Sequence, residues 1–202
     1  MGLFNRKTST ATVPAPVAAT TTLSGDYAID ASHTRVGFSA RHAMVTTVRG
    51  QFGEFEGTAH FDAANPAASS AQIVIKAASI DTGSADRDGH LRSGDFFDVE
   101  TYPEIRFAST SARLVDADTW ALTGDLTIKD VTKPVTIEFE HTGAATDPFG
   151  NRRIGFEGSV SVNRKDWDLT WNAALETGGV LVSERAKLEF DISAIALVSE
   201  NA

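Results

Sequence analysis

Three side chains that could bind a metal ion or move a proton lie close together, at Asp86, Asp88 and His90. A calcium-binding loop needs a glycine at its sixth position and a bidentate acid at its twelfth. Counted from Asp86, those positions hold Leu91 and Phe97. On a helix, Asp88 would also point away from the other two side chains. We therefore expect no metal site in this cluster.

The same cluster has the pattern of a short helix, predicted over Ala85–Arg92. Asp86 precedes His90 by four residues, and Asp88 precedes Arg92 by the same spacing. Pairs with the acid first favour a helix, as do acids in the first turn. Two phenylalanines follow the helix. A polar helix with an aromatic end is typical of a cover on an apolar body.

Motifs of catalytic chemistry are missing from the sequence. There is no G-x-S-x-G elbow, H-E-x-x-H pair, phosphate-binding loop or dinucleotide fingerprint. The absence of cysteine excludes disulfides, thiolate metal sites and a cysteine nucleophile. Arg164 and Asp166 fit an ion pair at a strand end better than an acid–base pair. The sequence thus predicts neither a catalytic residue nor a cofactor.

Length and charge narrow the class of protein. The 202 residues suit one domain with a sizeable core. A net charge of −9 argues against nucleic acid or anionic lipid headgroups as the main partner. No apolar run approaches the roughly 18 residues of a membrane-spanning helix. We predict no nucleic-acid partner and no integral membrane segment.

The N-terminal residues 1–24 are rich in Thr, Ala and Pro and are predicted to be a disordered tail. A secretory signal needs a continuous apolar segment of about 7 to 15 residues. The apolar residues of this segment are interrupted by Thr, Ser and Pro throughout. We therefore expect a cytoplasmic protein. Residues 199–202 are expected to form a short C-terminal tail.

Apolar and polar residues alternate through the rest of the chain, as in half-buried strands. A short segment covers 27–30, and eight further ones cover 35–42, 53–61, 71–77, 105–107, 120–128, 135–139, 154–162 and 186–192. Turn-like residues separate them, which predicts an all-β, antiparallel protein with one apolar face per strand. A sandwich and a closed barrel both satisfy this pattern.

Small residues on the apolar faces favour the barrel. They are Ala40, Gly57, Ala59, Ala71, Gly124, Gly158 and Ala186. A sandwich core must fill its space at native density, whereas an eight-stranded barrel can hold one small ligand in its interior. The alternative is that the inward phenylalanines fill the interior completely.

A series of short motifs points to a known family. The motifs, in chain order, are Tyr27–Asp30 with Ser32-His33, the pair Phe38 and His42 on one strand, Gly50–Phe52, Ser79–Thr82, Arg87–Ser93, Asp95–Asp98, Tyr102-Pro103, Gly124–Ile128, Val131–Val135, Asn163-Arg164 and Asp166-Trp167. Together they resemble the YceI-like family of lipocalin-like, polyisoprenoid-binding proteins, over about residues 25–198. Asp130 and Asp168 stand where the family pattern has glycines, which leaves the geometry of two turns open.

The resemblance implies an extended eight-stranded antiparallel barrel with one short helix packed across it. It also implies non-enzymatic binding, transport or sequestration of a long apolar ligand, such as a polyisoprenoid, an isoprenoid quinone or a fatty acid. Homodimer formation is a further possibility that the resemblance suggests.

The predicted ligand-binding residues are the apolar inward positions of the strands, with tryptophans near the barrel opening. They are Phe38, Ala40, His42, Phe55, Phe61, Ile73, Ile75, Phe107, Leu126, Ile128, Ile137, Phe139, Phe156, Trp167, Trp171 and Leu188. Among them His42, Trp167 and Trp171, together with Arg41, could hydrogen-bond a polar headgroup.

Two other functions remain open at this point. An enzyme acting on a lipidic substrate inside the barrel would need an inward titratable group, and His42 is the one candidate among the inward positions. A ligand-free interaction module would have an interior filled by side chains and an apolar patch outside.

Overall fold

The structure is a computed structural model that describes residues 23–176 and 178–197. The predicted C-terminal tail, and the predicted N-terminal tail up to residue 22, lie outside the described residues. The cytoplasmic location expected from the N-terminal segment stays a prediction.

Strands dominate the described part of the chain. They are β1 Gly25–Ile29, β2 Arg35–His42, β3 Thr46–Phe52, β4 Phe55–Phe61, β5 Ser70–Lys76, β6 Ile80–Asp81, β7 Glu104–Leu114, β8 Thr119–Ile128, β9 Val131–Thr146, β10 Arg152–Asn163 and β11 Val182–Ala196. The α-helix α1 spans Ala85–Arg92, as predicted. Short 3₁₀ helices lie at Pro66–Ala68, Ala77–Ser79 and Arg164–Trp167.

The strands close into an antiparallel barrel. The order around the ring is β1-β4-β5-β7-β8-β9-β10-β11, and β11 pairs with β1 to complete it. β2 pairs with β11 and β3, and β6 pairs with β3, so these strands extend the ring at one end. The predicted eight-stranded barrel is confirmed, and the sandwich is excluded because the ring closes.

Two apolar clusters occupy the ends of the barrel interior. One lies beside α1 and contains Ile80, Phe96 and Trp167. The other contains Tyr27 and Trp120. We call these ends the helix end and the tyrosine end. Each cluster is built from side chains of several strands, because alternate residues of every strand face inward.

The inward glycines do not leave empty space, contrary to the expectation from the sequence. A Cβ at Gly158 would lie 2.6 Å from Phe139 Cδ1, and one at Gly57 would lie 2.6 Å from Ile29 Cδ1. At Gly124 the ring of Phe107 occupies the equivalent position. Large side chains from neighbouring strands therefore lie across these glycines, as aromatic residues do when they cover a strand glycine.

Helix α1 is held by contacts to the segment before it, and the two predicted pairs within the helix do not form. Asp88 is buried and accepts hydrogen bonds from the backbone N–H and the hydroxyl of Thr82, at 2.9 and 2.5 Å. Arg92 donates to the carbonyl oxygens of Ala78 and Ile80, both at 2.7 Å. His90 pairs with Asp95 at 2.9 Å instead of with Asp86. Among the described helices, none is long and apolar enough to cross a membrane.

Candidate functional site

A cavity of about 250 Å³ lies inside the barrel and reaches both end clusters. Phe52 and Trp167 belong to its wall at the helix end, and Phe61 and Trp120 belong to its wall at the tyrosine end. Most of the lining side chains are apolar. Such a space suits a hydrocarbon chain, because it offers apolar contact along its length and few hydrogen-bonding groups.

Most of the predicted ligand-binding residues line this cavity. They are Phe38, Phe61, Ile73, Ile75, Phe107, Leu126, Ile128, Ile137, Phe139, Phe156, Trp167 and Leu188. The small residues Ala59, Ala71 and Ala186 line it too. Trp167 is buried and donates its indole N–H to the carbonyl oxygen of Leu126 at 3.0 Å, so it forms wall and has no donor left for a headgroup.

Four predicted residues lie away from the cavity wall: Ala40, His42, Phe55 and Trp171. Phe55 packs against the core cluster at the helix end. Trp171 packs on His90 of α1, with 4.5 Å between the ring centroids. His42 is exposed, which differs from its predicted inward position. The reason is that the pairing of β2 with β11 becomes irregular between Val182 and Ala186, so the inward face of β2 ends before His42.

Several lining residues were not predicted. Val36 and Ile154 occupy inward positions of the alternating pattern and were identifiable from it. Leu169 and Phe97 lie outside the strands, and no periodic signal marks them. Their place in the wall depends on how the connections fold over the helix end of the barrel.

Arg164 is the lining residue that departs most from the prediction. It is buried, and it does not pair with Asp166, which is exposed. Its Nε donates to the carbonyl oxygen of Ser183 at 2.9 Å, and its Nη1 donates to that of Leu169. Burial lowers the pKa of Arg164 below its usual value. The side chain is thus a buried cation held by backbone oxygens.

The short 3₁₀ helix Arg164–Trp167 positions this side chain. The Asn163 side chain accepts from the backbone N–H of Lys165 and caps the helix start. Asp168 ends it in the left-handed region, with φ of 57°. Aspartate tolerates this conformation better than most residues, which explains how it can replace the glycine of the family pattern. In the turn between β8 and β9, Lys129 rather than Asp130 has positive φ, so Asp130 needs no glycine-like conformation.

In the part of the chain that the structure describes, no group of three His, Cys, Asp or Glu side chains could hold a metal ion. Asp88 is turned toward Thr82, so it does not share a site with Asp86 and His90.

The fold and the cavity define a class of protein: a closed antiparallel barrel with an apolar interior and one helix beside its rim. Residues 27–194 match the YceI-like domain model. The chain is 42% identical over 149 residues to protein YceI of Escherichia coli O157:H7, covering 73% of this chain and 78% of that protein. The chain therefore belongs to the YceI-like family.

Solved structures agree with the fold. BcnA of Burkholderia cenocepacia superposes with a TM-score of 0.73 at 24% identity, over 82% of this chain and 98% of BcnA. A polyisoprenoid-binding domain from Saccharophagus degradans, implicated in plant cell wall breakdown, gives a TM-score of 0.65 at 18% identity, over 85% of this chain and 98% of that domain. At these identities the likeness concerns the fold alone.

Proposed function

We propose that this protein binds a long apolar ligand of the isoprenoid or fatty-acyl type inside its barrel, and carries or sequesters it without changing it chemically. The observation that carries the proposal is the cavity of about 250 Å³, with its largely apolar wall. The Saccharophagus degradans domain is described as polyisoprenoid-binding. The shared fold and the cavity support the same ligand class here.

Hydrocarbon burial supplies enough free energy for such binding. Each buried methylene contributes about 0.8 kcal/mol, so ten carbons contribute on the order of 8 kcal/mol before the cost of association. Micromolar affinity corresponds to about 8 kcal/mol. With an association cost of about 4 kcal/mol or more, a tail of about 15 carbons or longer therefore reaches micromolar affinity without any catalytic group.

Neither alternative function is favoured by a specific observation. The enzyme hypothesis required His42 to face the interior, and His42 is exposed. The interaction-module hypothesis required an interior filled by side chains, and the barrel contains a cavity. Binding is the function that uses the cavity.

The experiment that tests the proposal is native mass spectrometry of the purified protein, followed by organic extraction and identification of what is released. We expect a stoichiometric isoprenoid or fatty compound, or uptake of one when polyprenols, quinones and fatty acids are added. A ligand-free mass with no uptake of any of these compounds would overturn the proposal.

A cavity-filling substitution tests the location of the ligand. Ala59 lines the cavity, and Thr58, its neighbour in β4, is exposed. Ala59→Leu places extra carbons in the cavity and should weaken ligand binding about tenfold, because overpacking an occupied interior costs about 1–3 kcal/mol. Thr58→Leu makes a comparable addition outside and should leave binding unchanged. Equal affinities for the two variants, measured by titration of tryptophan fluorescence, would place the ligand elsewhere.

A further inference from the structure

Arg164 has hydrogen-bonding capacity that the described residues do not use. Only 6% of the residue is exposed, and its Nη2 atom is buried with no hydrogen-bond partner among the described residues. The Nε and Nη1 donors are both satisfied by backbone oxygens. Arg164 also belongs to the cavity wall. The guanidinium is therefore fixed through two of its nitrogens, while Nη2 is left unpaired beside the cavity.

Arg164 likewise lacks a buried counter-ion among the described residues. No ion pair in the described part of the chain involves Arg164. Glu184 lies close enough to interact with it electrostatically, but Glu184 is exposed and binds Lys165 at 2.5 Å. Its other neighbour of note is the Phe96 ring, 6.0 Å from the guanidinium carbon. A buried cation without a counter-ion is costly, and such groups are usually paired.

We propose that Arg164 binds the anionic headgroup of the ligand, a carboxylate or a phosphate, at the helix end of the cavity. The free Nη2 would donate to a headgroup oxygen, and the headgroup charge would neutralise the guanidinium. Arginine suits both headgroups, because its planar fork matches carboxylate and phosphate oxygens. The inference rests on the proposed function and adds to it the class of headgroup and its position.

The ligand's orientation follows from this position. With the headgroup at Arg164, the tail runs along the apolar wall toward Phe61 and Trp120 at the tyrosine end. The opposite orientation would place the headgroup near His141, whose Nε2 is also buried and without a partner among the described residues. We favour Arg164, because it carries a charge and lines the cavity, whereas His141 as a whole is only partly buried and is not in the cavity wall.

The test compares ligands that differ only in the headgroup. Palmitic acid is paired with 1-hexadecanol, and farnesyl phosphate with farnesol, at pH 7.5. Binding is followed by the fluorescence of the tryptophans, because Trp120 and Trp167 line the two ends of the cavity. The variants are Arg164→Gln, Arg164→Lys, His141→Phe and, as a matched arginine control, Arg49→Gln, since Arg49 is exposed.

We expect the wild-type protein to bind an anionic ligand about tenfold to a hundredfold more tightly than its alcohol, the range expected for a hydrogen bond to a charged group. Arg164→Gln should abolish this preference and leave the affinity for the alcohol unchanged. Arg164→Lys should keep part of the preference, whereas His141→Phe and Arg49→Gln should keep all of it. A preference confined to one acid–alcohol pair would identify carboxylate or phosphate as the headgroup.

Three outcomes would overturn the inference. The wild-type protein could bind acids and alcohols equally, or the preference could be lost in His141→Phe instead. Arg164→Gln could also weaken alcohol and acid binding by the same factor, which would give Arg164 a purely structural role. Failure of the wild-type protein to bind any of the four compounds would instead count against the proposed function itself, and would remove the basis of the headgroup assignment with it.

Discussion

Arg153 links two parts of the barrel wall that are far apart in the sequence. Its Nη1 donates to Asp30, just after β1, and its Nε donates to Asp147, in the turn between β9 and β10, at 2.5 and 2.9 Å. The Arg153 hydrogen bond, together with those from Ser32 and His33, holds the pKa of Asp30 well below its usual range. Hydrogen bonds from Asn151 and Arg153 do the same for the pKa of Asp147.

These two aspartates should make the stability of the protein depend on pH. Because their folded-state pKa values are lowered, they stabilise the native state above the unfolded aspartate pKa of about 4, and this stabilisation is lost as the pH falls below it. Arg153→Gln should therefore lower the free energy of unfolding at pH 7 and make its decrease between pH 5 and pH 3 shallower. Urea denaturation across this range measures both effects.

Arg113→Gln is the control, because Arg113 is exposed in β7. It should shift neither the stability at pH 7 nor the acid dependence. An Arg153→Gln variant whose stability falls with acid as steeply as that of the wild type would show that Arg153 does not set these pKa values.

At the scale of the elements, α1 depends on its contacts with the preceding segment more than on its own sequence. The acid-first pairs in the sequence predicted the bounds of the helix correctly, but the contacts they implied do not form. Asp88 instead binds Thr82. Arg92 binds the carbonyl oxygens of Ala78 and Ile80. Helices this short are marginal in isolation and are stabilised mainly by tertiary contacts. The acids in the first turn favour a helix start, but they do not identify its partners.

Asp88→Ala should destabilise the protein by about 1–3 kcal/mol, because it removes the buried carboxylate that accepts two hydrogen bonds from the partly buried Thr82. Asp86→Ala is the matched control, since Asp86 is exposed in the same turn. Each variant loses about 0.3–1 kcal/mol of favourable interaction with the helix N-terminus. Urea denaturation of the two variants gives the contribution of the Thr82 contact as the difference between their free energies of unfolding. Equal destabilisation of the two variants would contradict this role of Asp88.

The inward glycines of the strands are required by their neighbours. Gly158→Ala should destabilise the barrel by about 1–3 kcal/mol, because the added carbon would overpack a filled site. It would lie 2.6 Å from Phe139 Cδ1 and 2.7 Å from the Glu138 carbonyl oxygen. Gly89→Ala in α1 meets no atom within 4 Å and should stabilise by about 0.5–1 kcal/mol. Thermal unfolding of both variants measures whether their stabilities change in opposite directions relative to the wild-type protein.

At the scale of the whole molecule, alternation along the strands was enough to predict an all-β chain. The resemblance to the family predicted that the strands close into a barrel. The strand β3 was missed because Val48 and Phe52 are its only large apolar residues, so its alternation is weak. The cavity was expected for partly wrong reasons: Ala59, Ala71 and Ala186 do line it, but the inward glycines are covered by side chains from adjacent strands.

The role of Arg164 could not be predicted from local sequence. Its neighbour Asp166 suggested an ion pair, but whether a side chain at the end of β10 turns inward depends on Ser183 and Leu169, which hold it in place. The carbonyl oxygen of Ser183 belongs to β11, and that of Leu169 belongs to the connection that leads into β11. Only the assembled barrel brings all three residues together.

Ligand binding should raise the stability of the whole barrel, because the cavity exists only in the folded state. A ligand at one hundred times its Kd adds about 2.7 kcal/mol to the free energy of unfolding. We expect the Tm of the wild-type protein to rise with ligand concentration, and that of Ala59→Leu to rise much less. A wild-type Tm that does not respond to a ligand shown to bind would contradict enclosure within the folded barrel.

The closure of the ring by β11 has a consequence for folding kinetics. β11 pairs with β1 and β2, near the other end of the described chain, so the contacts that seal the barrel are among the most distant in sequence. Contacts of this kind slow folding, because the loop entropy must be lost before they form. Until β11 has been translated, β1 and β10 have unpaired strand edges, and such edges are sites of aggregation. β11 follows all the other described strands in the chain, so the cavity can be enclosed only after β11 has been translated.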